Sequence, residues 1–167
     1  MTRDQILRRR IKVLTWLVIA GLVVSGATAI PLSSEIEFAV RLFGAPDGMG
    51  PKSSLAEWFL KVRDGLSDAY PKYPFLAYGT DWLAFGHFVI ALVFVGALRD
   101  PVRNEWLFTF GMLACALVVP YALVFGQMRG IPIGWRLIDC SFGAVGFLPL
   151  WICRRAAREL ATGQRGA

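Results

Sequence analysis

Five polar or ionisable side chains lie inside otherwise apolar stretches of the sequence: Ser25, His87, Tyr121, Arg136 and Asp139. Arg136 and Asp139 are three residues apart, so on a helix they share a face and can form an ion pair. An ionisable group within a membrane costs a few kcal/mol unless it is paired or hydrated, so these residues mark a candidate functional site. Proton transfer and ligand coordination are the chemistries that such residues could support. The alternative is structural, because polar groups between membrane helices contribute about 0.6 kcal/mol each to bundle stability.

His87 is the only histidine of the chain. Its imidazole could act as one axial ligand of a haem or chlorin metal, and Gly86 would let a flat ring approach. A haem with two histidine ligands from this chain is excluded, because a second histidine does not exist. A haem or chlorin bound through His87 is one alternative. The favoured expectation is that the chain binds no cofactor.

Other catalytic and metal-binding patterns are missing from the sequence. No GxSxG, HExxH, GxGxxG or GxxxxGK motif occurs. Cys115, Cys140 and Cys153 lie inside or at the end of apolar runs and form no CxxC, so neither a disulfide framework nor a zinc site is predicted. No catalytic residue and no metal ligand set is assigned, and a non-enzymatic role is favoured.

Long uncharged stretches identify the elements that position these side chains. Only 18% of the 167 residues are charged, whereas a soluble domain averages about 25%. No charge occurs from Val13 to Ser34 or from Trp106 to Met128, and about 20 apolar residues suffice to cross a bilayer. The sequence therefore predicts an all-α, polytopic transmembrane bundle forming a single membrane domain over residues 1–167. Its four spans are predicted at about residues 13–30, 80–98, 106–125 and 132–153.

Helical spacing places the polar side chains at a common depth. The residues between Asp139 and Arg154 cover only about 21 Å of helix, and the hydrocarbon core is about 30 Å thick. The fourth span must therefore begin near Pro132, with Asp139 roughly 10 Å below the outer boundary. The same spacing brings His87, Tyr121 and Ser25 to a similar depth on the other spans. A polar cluster in the outer third of the membrane is predicted.

Basic residues next to the spans predict the orientation of the chain. They are concentrated before the first span, between the second and third, and after the fourth, at Arg8, Arg9, Arg10, Lys12, Arg99, Arg103, Arg154, Arg155 and Arg158. The positive-inside rule then places both termini in the cytoplasm and residues 31–79 outside, in a bacterial inner membrane. This placement accounts for the net charge of +6 without nucleic acid. The first span is expected to be a retained anchor, and cleavage after Ala29 is the alternative.

The outer loop, residues 31–79, carries signals for two helices. Ser34–Glu37 and Ser54–Glu57 each match a capping box, and the turn-rich connector Gly44–Pro51 separates them. From Leu55 to about Ser67, apolar residues recur at helical spacing. This pattern predicts an amphipathic helix that lies along the outer membrane interface.

The second half of the sequence resembles a group of uncharacterised bacterial four-span integral membrane proteins. The resemblance covers about Tyr78 to Cys153 and is carried by three stretches, Tyr78–Phe85, Asp100–Asn104 and Arg129–Gly143. It implies a four-helix membrane fold and no established activity. Four spans with a long outer crossing are also similar to small b-type cytochromes, but the paired histidines of those proteins are missing.

Two functions are consistent with these features. The favoured one is a non-catalytic subunit that packs, in the lipid bilayer, against other subunits of a larger membrane assembly, for example a respiratory or photosynthetic one. The alternative is a small transporter or a redox or pigment-binding protein that uses His87, Arg136 and Asp139, since proton and ion pathways concentrate such groups. Against a transport pathway, the sequence contains neither an inverted repeat nor a pair of broken helices.

Overall fold

The computed structural model describes residues 2–43 and 53–165, which form α-helices and no strand. Four of the helices are long and apolar enough to cross a membrane, which confirms an all-helical chain with four candidate spans. The connector Gly44–Pro51 lies outside the described residues. The helices are α1 (Arg3–Ala29), α2 (Leu32–Phe43), α3 (Ser54–Lys72), α4 (Tyr78–Arg99), α5 (Glu105–Met128) and α6 (Ile133–Arg165), with a 3-10 turn at Pro74–Ala77 before α4.

Helices α1 and α6 extend well beyond the predicted spans. A capping box starts α1, because the Thr2 hydroxyl accepts from the Gln5 backbone N–H (3.4 Å) and the Gln5 side chain accepts from the Thr2 N–H (3.0 Å). The 33 residues of α6 correspond to about 50 Å of helix, against a hydrocarbon core of about 30 Å. The predicted span bounds stopped where charges begin, but arginine, lysine and alanine are good helix formers. The helices therefore continue past the apolar segments.

One buried core joins the four long helices at the end of the molecule where α1 begins and α6 finishes. We call this the termini end: residues 3–19 of α1, 91–99 of α4, 105–112 of α5 and 150–163 of α6. An ion pair between Arg3 and Glu159 places the two termini on the same side. The core residues are Leu7, Ile11, Ile19, Ala91, Phe94, Ala97, Leu107, Phe108, Leu150, Cys153, Ala156, Ala157 and Leu160.

The opposite halves of the same helices form the loop end: residues 20–29 of α1, 78–88 of α4, 113–128 of α5 and 133–146 of α6. Here glycines allow close approach within two helix pairs. A Cβ added at Gly26 of α1 would lie 3.0 Å from the Ala84 carbonyl oxygen of α4. One added at Gly143 of α6 would lie 2.5 Å from the Cys115 carbonyl oxygen of α5. Small residues at such points are typical of helices packed within membranes.

Helices α2 and α3 pack against each other and reach the loop end of α6. The Phe59 side chain of α3 is only 6% exposed. Its ring centroid lies 6.0 Å from that of Phe43 and 5.5 Å from that of Trp135 at the start of α6. Residues Leu55–Ser67 are helical, as predicted, and belong to α3; the amphipathic role of this helix and its position along the outer membrane interface stay predictions.

Both predicted capping boxes in the loop are displaced. Helix α2 begins at Leu32, so Ser34 lies inside its first turn instead of capping it. Helix α3 is capped one residue early, because the Ser53 hydroxyl accepts from the Ala56 backbone N–H at 3.2 Å. Serine is a favoured N-cap residue, so the sequence alone does not distinguish Ser53 from Ser54 as the cap. In the structure Ser53 is the cap, and α3 is therefore one residue longer at this end than predicted.

Candidate functional site

Arg136 is held by α5 and not by its neighbour on α6. Its Nη1 donates to the Gln127 side-chain oxygen at 2.7 Å and to the Leu123 carbonyl oxygen at 3.3 Å. The aliphatic part of the side chain fills the space over Gly126, where an added Cβ would come within 2.5 Å of Cδ. Its Nε is buried without a hydrogen-bond partner among the described residues.

The predicted ion pair between Arg136 and Asp139 is not formed in the described part of the chain. The reason is local geometry. Gly126 leaves a groove on α5 that the arginine side chain enters, and the last turn of α5 presents acceptors at its far end. An arginine directed across the helix pair cannot also turn back along its own helix.

Asp139 is consequently left without a counterpart. It is half-buried on α6, and no hydrogen bond or ion pair to its carboxylate occurs within residues 2–43 and 53–165. It follows Ile133 by six residues, which places it about 9 Å along the helix from the start of α6. A carboxylate has several acceptor positions, and those of Asp139 are unused within the described residues.

His87 has one ring nitrogen engaged and the other unused. Its Nδ1 lies 2.8 Å from the Leu83 carbonyl oxygen. A carbonyl can only accept, so Nδ1 is the donor in this hydrogen bond, and the neutral ring with this tautomer has its lone pair on Nε2. Histidine ligands of metals commonly donate their second nitrogen to a backbone carbonyl in this way. The Cβ of His87 also packs against Gly26 of α1, so the residue belongs to the α1–α4 pair.

The remaining members of the predicted cluster lie on exposed surfaces. Ser25 is exposed on α1, next to the contact between Gly26 and His87. Tyr121 of α5 is 67% exposed, and its ring centroid lies 4.5 Å from that of Phe125. No hydrogen bond joins any two of the five predicted residues within the described part of the chain. The common depth of the five stays a prediction.

Metal binding would depend on His87. Among the residues that the structure describes, no group of three or more His, Cys, Asp or Glu side chains is placed to hold a metal ion. Cys153 is buried in the core, with its sulfur 3.9 Å from the Thr15 hydroxyl and 3.8 Å from the Ile11 carbonyl oxygen. This thiol joins α6 to α1 and is a packing residue.

A charged cluster at the termini end was missed by sequence reasoning. One carboxylate oxygen of Glu105, the first residue of α5, accepts from Nε of Arg154 at 2.8 Å and from Nε of Arg158 at 2.9 Å. The two arginines are four residues apart and therefore share a face of α6. That spacing is the sequence signal from which a shared acidic partner for the two arginines could have been predicted.

A cleft of about 290 Å³ between α1 and α6 was also missed. On one side lie Leu7 and Arg10 of α1; on the other lies a stripe of α6 in which Trp151, Arg155 and Glu159 are four residues apart. The Arg155 guanidinium carbon lies 5.0 Å from the centre of the Trp151 ring, a distance at which a cation is attracted to the aromatic face.

The described residues form an all-helical structure with four candidate membrane spans, which is the architecture of a multi-pass membrane protein. Comparison with protein families, with curated proteins and with solved structures gave no match.

Proposed function

We propose that this chain is a non-catalytic integral subunit of a larger assembly, of respiratory or photosynthetic type, in the bacterial inner membrane. The observation that carries the proposal is the unpartnered carboxylate of Asp139. A lipid-facing charge costs a few kcal/mol, and Arg136 is already engaged by α5. A polar group on a neighbouring subunit supplies the missing partner, as polar side chains do between membrane helices.

The surface around Asp139 suits a helix of another subunit. Phe142 follows on the same face of α6 and is 68% exposed. Trp135 precedes Asp139 by four residues and contacts Phe59 of α3, so the same face continues onto the loop helices. This face therefore presents apolar contact area around one polar anchor.

In the proposed orientation both termini lie in the cytoplasm and α2 and α3 lie outside. The ion pair between Arg3 and Glu159 supports a common side for the termini. The choice of side rests on the basic residues that flank the spans, which favour the cytoplasm.

Site-specific photo-crosslinking in native membranes tests the proposal. A benzophenone amino acid replaces Phe142, and the matched control replaces Leu92 of α4, which is 70% exposed. We expect a discrete adduct with a different protein from position 142 that disappears when Asp139→Leu is added, and lipid adducts from position 92. Adducts at position 142 with lipid alone, or with a second copy of this chain alone, would contradict the proposal.

A second candidate function, a redox or pigment-binding protein, is favoured by one observation. The hydrogen bond from His87 to the Leu83 carbonyl leaves Nε2 available as an axial ligand. The test is the visible absorption spectrum of protein purified in mild detergent. This candidate requires a haem or chlorin band that His87→Leu removes while the unfolding midpoint is unchanged. A wild-type protein that binds neither haem nor chlorophyll added during purification would contradict it.

A further inference from the structure

The cleft between α1 and α6 at the termini end has the composition of a lipid-headgroup site. Leu7 is 9% exposed and Ala156 is 4% exposed, so these two apolar residues form the floor of the cleft, and the charged side chains of Arg10, Arg155 and Glu159 form its rim. Arg10 and Arg155 are exposed on its two sides. Its volume, about 290 Å³, lies at the lower limit of small-molecule sites, which run from about 300 to 1,000 Å³. A headgroup fits this volume and a whole lipid does not.

The charges around the cleft favour an anion. Glu159 is the acidic residue of the lining, and its carboxylate is paired with Arg3. Arg10 and Arg155 have no ion-pair partner among the described residues. Two guanidinium groups therefore remain to bind an anion, and Arg155 is held in place by the Trp151 ring.

The position of the cleft along α6 matches a membrane boundary. Trp151 follows Ile133 by eighteen residues, which corresponds to about 27 Å of helix. The hydrocarbon core is about 30 Å thick, so Trp151 lies near its edge and Arg155 lies one turn beyond. Tryptophan is enriched at this level of the bilayer, and basic pockets between helices bind anionic headgroups there.

We propose that this cleft binds the headgroup of an anionic phospholipid. The two arginines contact the phosphate, Trp151 lies at the level of the glycerol backbone, and the acyl chains extend along the apolar surface of α6. A lipid bound here bridges α1 and α6 where both helices leave the membrane. The site is separate from the Asp139 face and does not depend on the proposed subunit role.

Native mass spectrometry of the detergent-solubilised protein tests the site. The probes are phosphatidylglycerol and phosphatidylcholine added at equal concentration. We expect phosphatidylglycerol to bind more tightly, and the double variant Arg10→Gln with Arg155→Gln to weaken its binding by about 30-fold. A matched control, Arg8→Gln with Arg103→Gln, removes two exposed arginines outside the cleft and should retain the preference.

A lysine variant and a soluble competitor distinguish loss of lipid binding from loss of folding and from binding of free phosphate. If the glutamine variant fails to fold, Arg10→Lys with Arg155→Lys keeps both charges and should bind phosphatidylglycerol within a few-fold of the wild type. Glycerol phosphate, added as a soluble competitor, separates a lipid site from a free-phosphate site. Equal affinity for both lipids, equal loss in the control variant, or displacement of the lipid by millimolar glycerol phosphate would each overturn the proposal.

Discussion

At the termini end, side chains from four helices fill one core, in which Phe108 is fully buried and Leu160 is 1% exposed. At the loop end, the same helices meet mainly through glycines, and large residues such as Phe142 and Tyr121 are about two-thirds exposed. Part of the difference follows from solvent. Five residues of this core lie outside the predicted spans, and burying them removes apolar side chains from water: Leu7, Ile11, Ala156, Ala157 and Leu160. Inside the bilayer that driving force is absent, and close backbone approach and polar contacts take its place.

The two ends of the molecule are expected to have different roles. The termini end contains the contacts that fix the arrangement of the helices. The loop end contains the unpartnered Asp139 and the exposed face around it, which remain available to other molecules. Truncating the core at the first end should therefore reduce stability, and changes on the exposed face around Asp139 should affect assembly more than stability.

The largest effect is expected from truncating the core at the termini end. Phe108→Ala removes a fully buried ring and should lower the free energy of unfolding by about 3–5 kcal/mol. The control Phe142→Ala, at the loop end, should cost much less because that ring is 68% exposed. Denaturant unfolding in mixed micelles measures both. An equal decrease in the free energy of unfolding for the two variants would contradict the proposed difference between the two ends.

A smaller loss is expected from crowding the α5–α6 contact at the loop end. Gly143→Ala places a methyl group against the Cys115 backbone oxygen, which cannot move without shifting the helix, so we expect a loss of about 1–3 kcal/mol. Gly134→Ala on the same helix meets no atom within 4 Å and should be neutral or slightly stabilising. Thermal unfolding of the two variants tests whether this helix pair is as close as the structure shows it.

Sequence reasoning predicted the helices better than their contacts. Uncharged runs identify spans because a bilayer imposes a minimum apolar length, and each of the four long helices covers its predicted span to within one residue. The extension of α1 to Arg3 and of α6 to Arg165 was not predicted, because charge was used as a boundary. Depth along a helix follows from its rise per residue, whereas rotation about its axis does not. The predicted Arg136–Asp139 pair is not formed because the competing partners of Arg136, Leu123 and Gln127, lie on another helix, and contacts between helices do not follow from spacing within one helix.

The ion pairs of Glu105 should contribute less than the core. Glu105→Gln removes the charge to which Arg154 and Arg158 both donate, and we expect a loss of roughly 1 kcal/mol because the site is partly exposed. Glu159→Gln, whose partner Arg3 is mostly exposed, should cost less. Raising the salt concentration should reduce both effects. A loss at position 159 that exceeds the loss at position 105 would contradict this ranking.

The smallest change in stability is expected from the hydrogen bond between Arg136 and Gln127, and measuring it tests which residue binds the Arg136 side chain. A double-mutant cycle on Arg136→Leu and Gln127→Leu should give a coupling energy of about 0.5–1.5 kcal/mol, the usual net value of a hydrogen bond. The comparison cycle pairs Arg136→Leu with Tyr121→Phe; no hydrogen bond joins these two side chains in the described residues, so the cycle should be additive. Coupling in the second cycle and none in the first would mean that the arginine is held elsewhere.

The size of the complex extracted in mild detergent tests the division between the two ends most directly. The mass of wild-type protein and of Asp139→Leu is measured by light scattering after size exclusion, and their unfolding midpoints are compared. The account predicts a wild-type complex well above the 18.5 kDa of the free chain. It also predicts a variant that migrates as the free chain and unfolds at the wild-type midpoint. A wild-type protein that is already a free chain, or a variant that stays in the complex, would contradict the account.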